Sequence, residues 1–164
     1  MKKIMFNDRY GLTNDVLNGI KTMTRRNYVP GKKSRYKVND IVAVAQKYSD
    51  ISTIFKGEYG DFRGWWNKMF VKSNFMPHHI KILNVELQRL QDISSVDCGK
   101  EGIISIAMEG DDHLEYGYFD TNKGYYITYP HAKEAYKNLI DKLGGKGSWD
   151  KNPLVWAYTF KLID

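Results

Sequence analysis

Gly19-Ile20-Lys21-Thr22-Met23-Thr24-Arg25-Arg26 places three positive charges and two hydroxyls directly behind a short helical pattern. Leu12-Thr13 opens that helix, with Thr13 as N-cap and with Leu12 and Leu17 placed for a hydrophobic staple. Gly19 ends it at the C′ position, where a left-handed backbone satisfies the last carbonyls. In a strict strand Lys21 and Thr24 would face opposite sides, because side chains alternate with period two. The two can cooperate only if the chain turns at Lys21-Thr22 before pairing begins, and the helix C-cap makes that turn available.

From Val16 to Asn39 there is no Asp or Glu, while Lys21, Arg25, Arg26, Lys32, Lys33, Arg35 and Lys37 carry seven positive charges, more than the net +6 of the whole chain. An acid-free run of this length favours a track for an anionic partner over a merely solvated face.

At 164 residues the chain can bury about 70% of its unfolded surface, enough for one core, and a single domain over residues 1–164 is expected. Four Trp and twelve Tyr are an unusual aromatic load for a globular protein. The Ile4-Met5-Phe6 run behind Lys2-Lys3 is too short for a signal-peptide core, and no segment reaches membrane-spanning length, so a cytoplasmic location is expected. Cys98 is the sole cysteine, which excludes an intrachain disulfide and a multi-cysteine zinc site. The four histidines lack ligand spacing, so neither a metal nor another cofactor is predicted.

Outward from the opening motif, Lys3–Phe6 reads as a first strand and Asp40–Ala45 as a buried one. Residues 48–77 form an aromatic-rich insertion, with Phe55, Tyr59, Phe62, Trp65, Trp66, Phe70 and Phe75 among Gly57, Gly60 and Gly64. It suits either a covering loop or a satellite hydrophobic cluster. From His79 to Leu90 the apolar positions change parity near Asn84, which predicts a bulge. Ser94 caps a short helix with Asp97 at the box position, and Gly102 closes it after Glu101. A carboxylate at a helix C-terminus is disfavoured by the dipole and gains most from a cation, for which Lys21 is the candidate.

A second aromatic-rich insertion, residues 107–129, holds a hairpin around Asp120-Thr121-Asn122-Lys123-Gly124, and the acidic run Glu109, Asp111, Asp112 and Glu115 before it reads as a solvated loop. Pro130 suits the first turn of a helix whose Ala132, Ala135, Tyr136, Leu139, Ile140 and Leu143 recur at three and four. Gly144-Gly145-Lys146-Gly147-Ser148 follows a helix and lacks the Gly-Lys-Ser/Thr order of a P-loop. Leu154–Ile163 alternates as a closing strand.

The Gly19–Arg25 motif, the strand at Asp40, Leu90-Gln91-Asp92-Ile93-Ser94 with Glu101-Gly102-Ile103, and Asn152-Pro153-Leu154-Val155-Trp156 together resemble the activating-signal-cointegrator homology (ASCH) domain, and more narrowly the ASCH proteins of phages and prophages. The resemblance implies an α+β fold with a PUA-like β-barrel and flanking α-helices. It also implies a cleft, lined by the Lys-Thr-Arg motif, that binds RNA or a modified nucleoside. One branch of the family hydrolyses N4-acetylcytidine with a Lys, a Thr and a Glu, which fall here on Lys21, Thr24 and Glu101. Asn39-Asp40 departs from the family's usual Gly-Asp, and the hydrolase branch lacks the two insertions.

Amide hydrolysis on cytidine needs a nucleophile, a base and an oxyanion stabiliser; Thr24 and Lys21 suit the first two roles, and neighbouring donors suit the third. Lys21 must then be neutral, and bringing its pKa from about 10.4 to about 7 costs roughly 4.6 kcal/mol. The alternative is a buried Lys21–Glu101 ion pair that fixes the fold. For RNA, Arg25, Arg26, Lys32, Lys33, Arg35 and Lys37 are candidates to follow phosphates, with Trp65 and Trp66 as candidates to stack on a base.

Overall fold

A computed structural model of the chain describes residues 1–52, 63–110 and 112–164. The last strand, β8 (Leu154–Leu162), whose apolar residues alternate, pairs antiparallel with β4 (His79–Arg89), the central strand of the main sheet, on one side and with β2 (Met23–Asn27) on the other. Beyond β4 come β3 (Ile41–Val44), antiparallel to it, and β1 (Lys2–Ile4), parallel to β3, so the sheet order is β1-β3-β4-β8-β2. The change of parity near Asn84 is a register shift between Ile82 and Asn84, inside one long strand that it bends.

The barrel implied by the resemblance is not closed. β1 and β2 are the two edges of an open five-stranded sheet, and among the described residues no ladder joins them. β1 is three residues long and pairs with β3 on one edge, while on the other the Lys3 carbonyl accepts from the Tyr36 hydroxyl at 2.9 Å. A side chain spans the gap instead: Arg26 Nη2 donates to the Met5 carbonyl at 2.6 Å.

Among the described residues, four α-helices and a second sheet flank the first. α1 (Leu12–Leu17) follows β1; α2 (Arg63–Trp66) lies between β3 and β4; α3 (Ser95–Lys100) follows β4. The second sheet, β5 (Ile104–Ala107), β6 (Leu114–Asp120) and β7 (Tyr125–Tyr129), is an antiparallel meander, its last turn the 121–124 hairpin turn predicted from sequence. α4 (Ala132–Gly144) packs its three-and-four-spaced face, Ala135, Tyr136 and Leu139, into the main core with Val42, Ile80, Tyr158 and Phe160. The second insertion is thus largely a sheet; Glu115 lies within β6, and Asp111 is outside the described residues. No described helix is long and apolar enough to cross a membrane.

Two helix starts differ from expectation. Gly11, at φ 67°, is the N-cap of α1, two residues earlier than Thr13, whose hydroxyl instead donates to Asp8 Oδ1 at 2.6 Å. α4 begins at Ala132 with His131 as N-cap, so Pro130 precedes the helix; a proline holds the chain extended there as well as it would start a first turn. Ser94 does cap α3, its Oγ accepting from Asp97 N at 3.1 Å.

The described part of residues 48–77 packs as a satellite cluster. Ala43, Ala45, Tyr48, Ile51, Val71 and Met76 are buried together, with Trp65 and Phe75 against them. Phe55, Gly57, Tyr59, Gly60 and Phe62 lie outside the described residues.

Candidate functional site

The turn that the opening motif requires is present. Gly19 takes φ 72°, and the amides of Ile20 and Lys21 both donate to the Asp15 carbonyl at 2.8 and 3.0 Å. Thr22 N then donates to the Lys100 carbonyl at 2.8 Å, which ties the start of β2 to the end of α3, and pairing with β8 begins at Met23. Lys21 and Thr24 therefore line one cavity of about 330 Å³, together with Arg25, Arg26, Glu101 and Tyr136.

The cavity lies along the free edge of β2. Phe160 N donates to Thr22 O and Tyr28 N to Leu154 O, which fixes Thr24 and Arg26 as residues whose backbones bond to β8. Met23, Arg25 and Asn27 consequently turn their backbone groups toward the open edge. Thr24 is 4% exposed and lines the cavity, and its hydroxyl makes no hydrogen bond among the described residues.

Lys21 (3% exposed) and Glu101 (4%) are the centre of a buried ionic network. Lys21 Nζ donates to Glu101 Oε2 and to the Glu101 carbonyl, each at 2.6 Å. Arg25 Nη1 donates to the other carboxylate oxygen at 2.9 Å and Nη2 to Gln88 Oε1 at 3.1 Å, with Asp97 Oδ2 at 3.7 Å. Arg25 Nε, also buried, has no hydrogen-bond partner among the described residues. The carbonyl that Lys21 meets belongs to the last turn of α3, so the cation also answers the helix dipole.

Burial pushes the Lys21 pKa below the ordinary lysine value, an effect that the Glu101 carboxylate only partly offsets. Burial acts against the Glu101 charge too, but Lys21 and Arg25 outweigh it and hold its carboxyl below the usual range. Behind Lys21, burial raises Asp15 to about 6 against some lowering by Lys21. Tyr136 is pushed well above the ordinary phenol value by burial and by the Glu101 charge. Cys98, buried in α3 and raised to about 11 by desolvation, is an inert thiol. Among the described residues no group of three or more His, Cys, Asp or Glu is placed to hold a metal.

The candidate phosphate residues separate into three places. Arg25 is turned inward onto Glu101 and Gln88, its side chain 1% exposed, so it positions the cleft and does not reach a strand in solvent. Arg26, Lys32, Lys33 and Arg35 line a larger groove of about 550 Å³ between β1 and β2, and Arg26 lines the smaller cavity as well. Lys37 lies outside both, its amide donating to Asp40 Oδ2 in the turn before β3. Trp65 and Trp66 sit on α2 beside the satellite cluster; Trp66 is 71% exposed, yet neither ring lines the cleft or the groove. The aromatics that do line the groove are Tyr36, Trp156 and Tyr158. In the sequence Trp156 and Tyr136 are indistinguishable from core residues of an alternating strand and an amphipathic helix.

The α+β fold, an open five-stranded sheet with a three-stranded meander beside it, has counterparts among solved structures. The chain is similar to the ASCH domain from Lactobacillus crispatus JV V101, with 16% identity over 96% of this chain and 75% of that one and a TM-score of 0.46. It is also similar to a DUF984 protein from Enterococcus faecalis V583, with 13% identity over 100% of this chain and 81% of that one and a TM-score of 0.50. At 13% identity the likeness to the Enterococcus faecalis protein is one of fold alone. No family model and no curated protein matches the chain in sequence.

Proposed function

We propose that this protein binds RNA or a modified nucleoside in the cleft formed by Lys21, Thr24, Arg25 and Glu101. The observation that carries the reading is the pairing of a polar, nucleoside-sized cavity with an acid-free cationic rim, the two sharing Arg26. A cavity near 300 Å³ is at the small end of ligand pockets. Arg26, Lys32, Lys33 and Arg35 around its neighbour supply charge where a phosphate backbone would run. The test is the affinity for single-stranded RNA as a function of salt. Each phosphate neutralised steepens the log–log slope by about 0.7, so the triple variant Lys32→Ala, Lys33→Ala, Arg35→Ala should flatten it by roughly two. An unchanged slope, or no affinity at low salt, sinks the proposal.

One observation favours a second reading, amide hydrolysis on an N4-acylated cytidine: Thr24, whose hydroxyl makes no hydrogen bond among the described residues, shares its cavity with a lysine whose pKa burial lowers. In that reading Lys21 passes its proton to Glu101 when the ligand displaces water. Neutral Lys21 accepts the Thr24 proton as Oγ attacks the acyl carbon, and returns it to the departing cytosine amine. Water then cleaves the threonyl ester, releasing the carboxylic acid and restoring Thr24. Turnover of N4-acetylcytidine by the protein, lost in Thr24→Ala, separates this from binding alone.

A further inference from the structure

The groove between β1 and β2 encloses about 550 Å³, and its described lining contains no carboxylate. Arg26, Lys32, Lys33 and Arg35 form its charged wall and Tyr36, Trp156 and Tyr158 its aromatic one. Both tyrosine hydroxyls are already satisfied, Tyr36 by the Lys3 carbonyl at 2.9 Å and Tyr158 by Ser34 Oγ at 2.9 Å. Trp156 is the half-buried ring, with Tyr28 edge-on at 6.0 Å between centroids.

Strand register relates this groove to the cleft. Arg26 stands directly opposite Trp156 across the β2–β8 ladder, and Thr24 opposite Tyr158. Cross-strand partners share a face and so do residues two apart on one strand, so Thr24, Arg26, Trp156 and Tyr158 occupy one face. Thr24 and Arg26 are about 6.8 Å apart along the strand, the scale of one nucleotide step in an extended chain. Arg26 commits one N–H to Met5 O and keeps further donors between the two cavities.

We infer that the groove seats a second nucleotide, so that the ligand is a single strand of at least two residues. One nucleoside occupies the Lys21–Thr24–Glu101 cleft, Arg26 meets the phosphate that follows it, and the neighbouring base stacks on Trp156 with Lys32 and Lys33 on the outer phosphate. The inference rests on the reading of the cleft as a nucleoside site. An acidic peptide adding to the β2 edge fits less well, because the Arg26–Met5 bond already crosses that gap and a peptide makes no use of an indole platform.

The test is a length series of cytidine, cytidine monophosphate, the dinucleotide CpC and a cytidine hexamer, in ribose and deoxyribose forms, titrated calorimetrically against the whole protein at one salt concentration. The dinucleotide should bind at least tenfold more tightly than the monophosphate, the weight of one base–aromatic stack. Trp156→Ala should erase that step and leave the monophosphate unchanged, and Trp156→Tyr should retain it, which guards against a folding defect. Trp66→Ala should change nothing. A dinucleotide no tighter than the monophosphate overturns the inference, as does equal weakening of every length by Trp156→Ala, or a glutamate hexapeptide that competes as well as the cytidine hexamer. If monomers fail to bind while the hexamer binds through Trp156, the cleft reading fails and the groove remains a nucleotide site; if monomers bind through the cleft without the step, only the groove fails.

Discussion

Lys21 Nζ lies 2.6 Å from both the Oε2 and the carbonyl oxygen of Glu101, so one ammonium group closes the end of α3 and neutralises the carboxylate beyond it. Arg25 holds the second carboxylate oxygen at 2.9 Å, and the three charges form one buried unit.

The unit predicts an order of stabilities. Lys21→Met leaves Glu101 paired with Arg25, whereas Glu101→Gln leaves two cations facing each other in the interior. Breaking a buried pair costs roughly 3–5 kcal/mol, and Glu101→Gln is expected at the upper end with Lys21→Met below it. The double variant should recover part of the Glu101→Gln loss. Urea unfolding of the three variants checks the order; a larger loss for Lys21→Met than for Glu101→Gln contradicts it.

Thr24→Ala should cost about 1 kcal/mol or less, since it removes a hydroxyl at the cavity wall that makes no hydrogen bond among the described residues. If the cleft hydrolyses acylated cytidines, the same substitution abolishes turnover by three or more orders of magnitude, as does Lys21→Met, and the two losses do not add. Stability and turnover measured on one preparation separate the two effects.

Asp15 introduces a pH dependence opposite in sign to that of Glu101. Its folded pKa of about 6 lies above the ordinary 3.8, so between those values the folded state binds the extra proton and stability falls as pH rises. Asp15→Asn should remove this slope: near-neutral at pH 3 and stabilising at pH 8. Glu101, held low, contributes stability that disappears only as the pH drops through its folded value. Thermal melts of wild type and Asp15→Asn across pH 3–8 test the assignment, and identical slopes would refute it.

Two neighbouring glycines should respond oppositely to alanine. Gly99 lies within α3 and a Cβ there meets nothing within 4 Å, so Gly99→Ala should stabilise by about 0.5–1 kcal/mol. Gly102 has φ +104°, and its Cβ would meet Asp15 Oδ2 and Leu12 Cδ2 at 3.2 Å. Gly102→Ala should therefore destabilise by more than about 1 kcal/mol, since it strains the backbone that delivers Glu101 to Lys21. Chemical denaturation of the pair provides the comparison.

The sequence by itself determined the features set by near neighbours. Gly19 and the turn after it, the Ser94 cap, the bulge near Asn84 and the hairpin at 121–124 each depend on a few adjacent residues, because caps, bulges and turns are closed by local backbone geometry. It also brought Lys21, Thr24 and Glu101 forward as one candidate site, by resemblance and by the helix-end argument for Glu101. Tertiary structure decided what depends on distant partners. Arg25 and Arg26 are consecutive basic residues, yet strand alternation and the position of Glu101 turn the first inward and leave the second at the groove. Trp156 reads as core until its register opposite Arg26 places it in the groove wall, while Trp65 packs by the satellite cluster beside exposed Trp66, away from both cavities. At the open edge between β1 and β2 the carbonyls of Lys3 and Met5 accept from the side chains of Tyr36 and Arg26 and not from a neighbouring strand, contacts between residues far apart in the chain that no local pattern records.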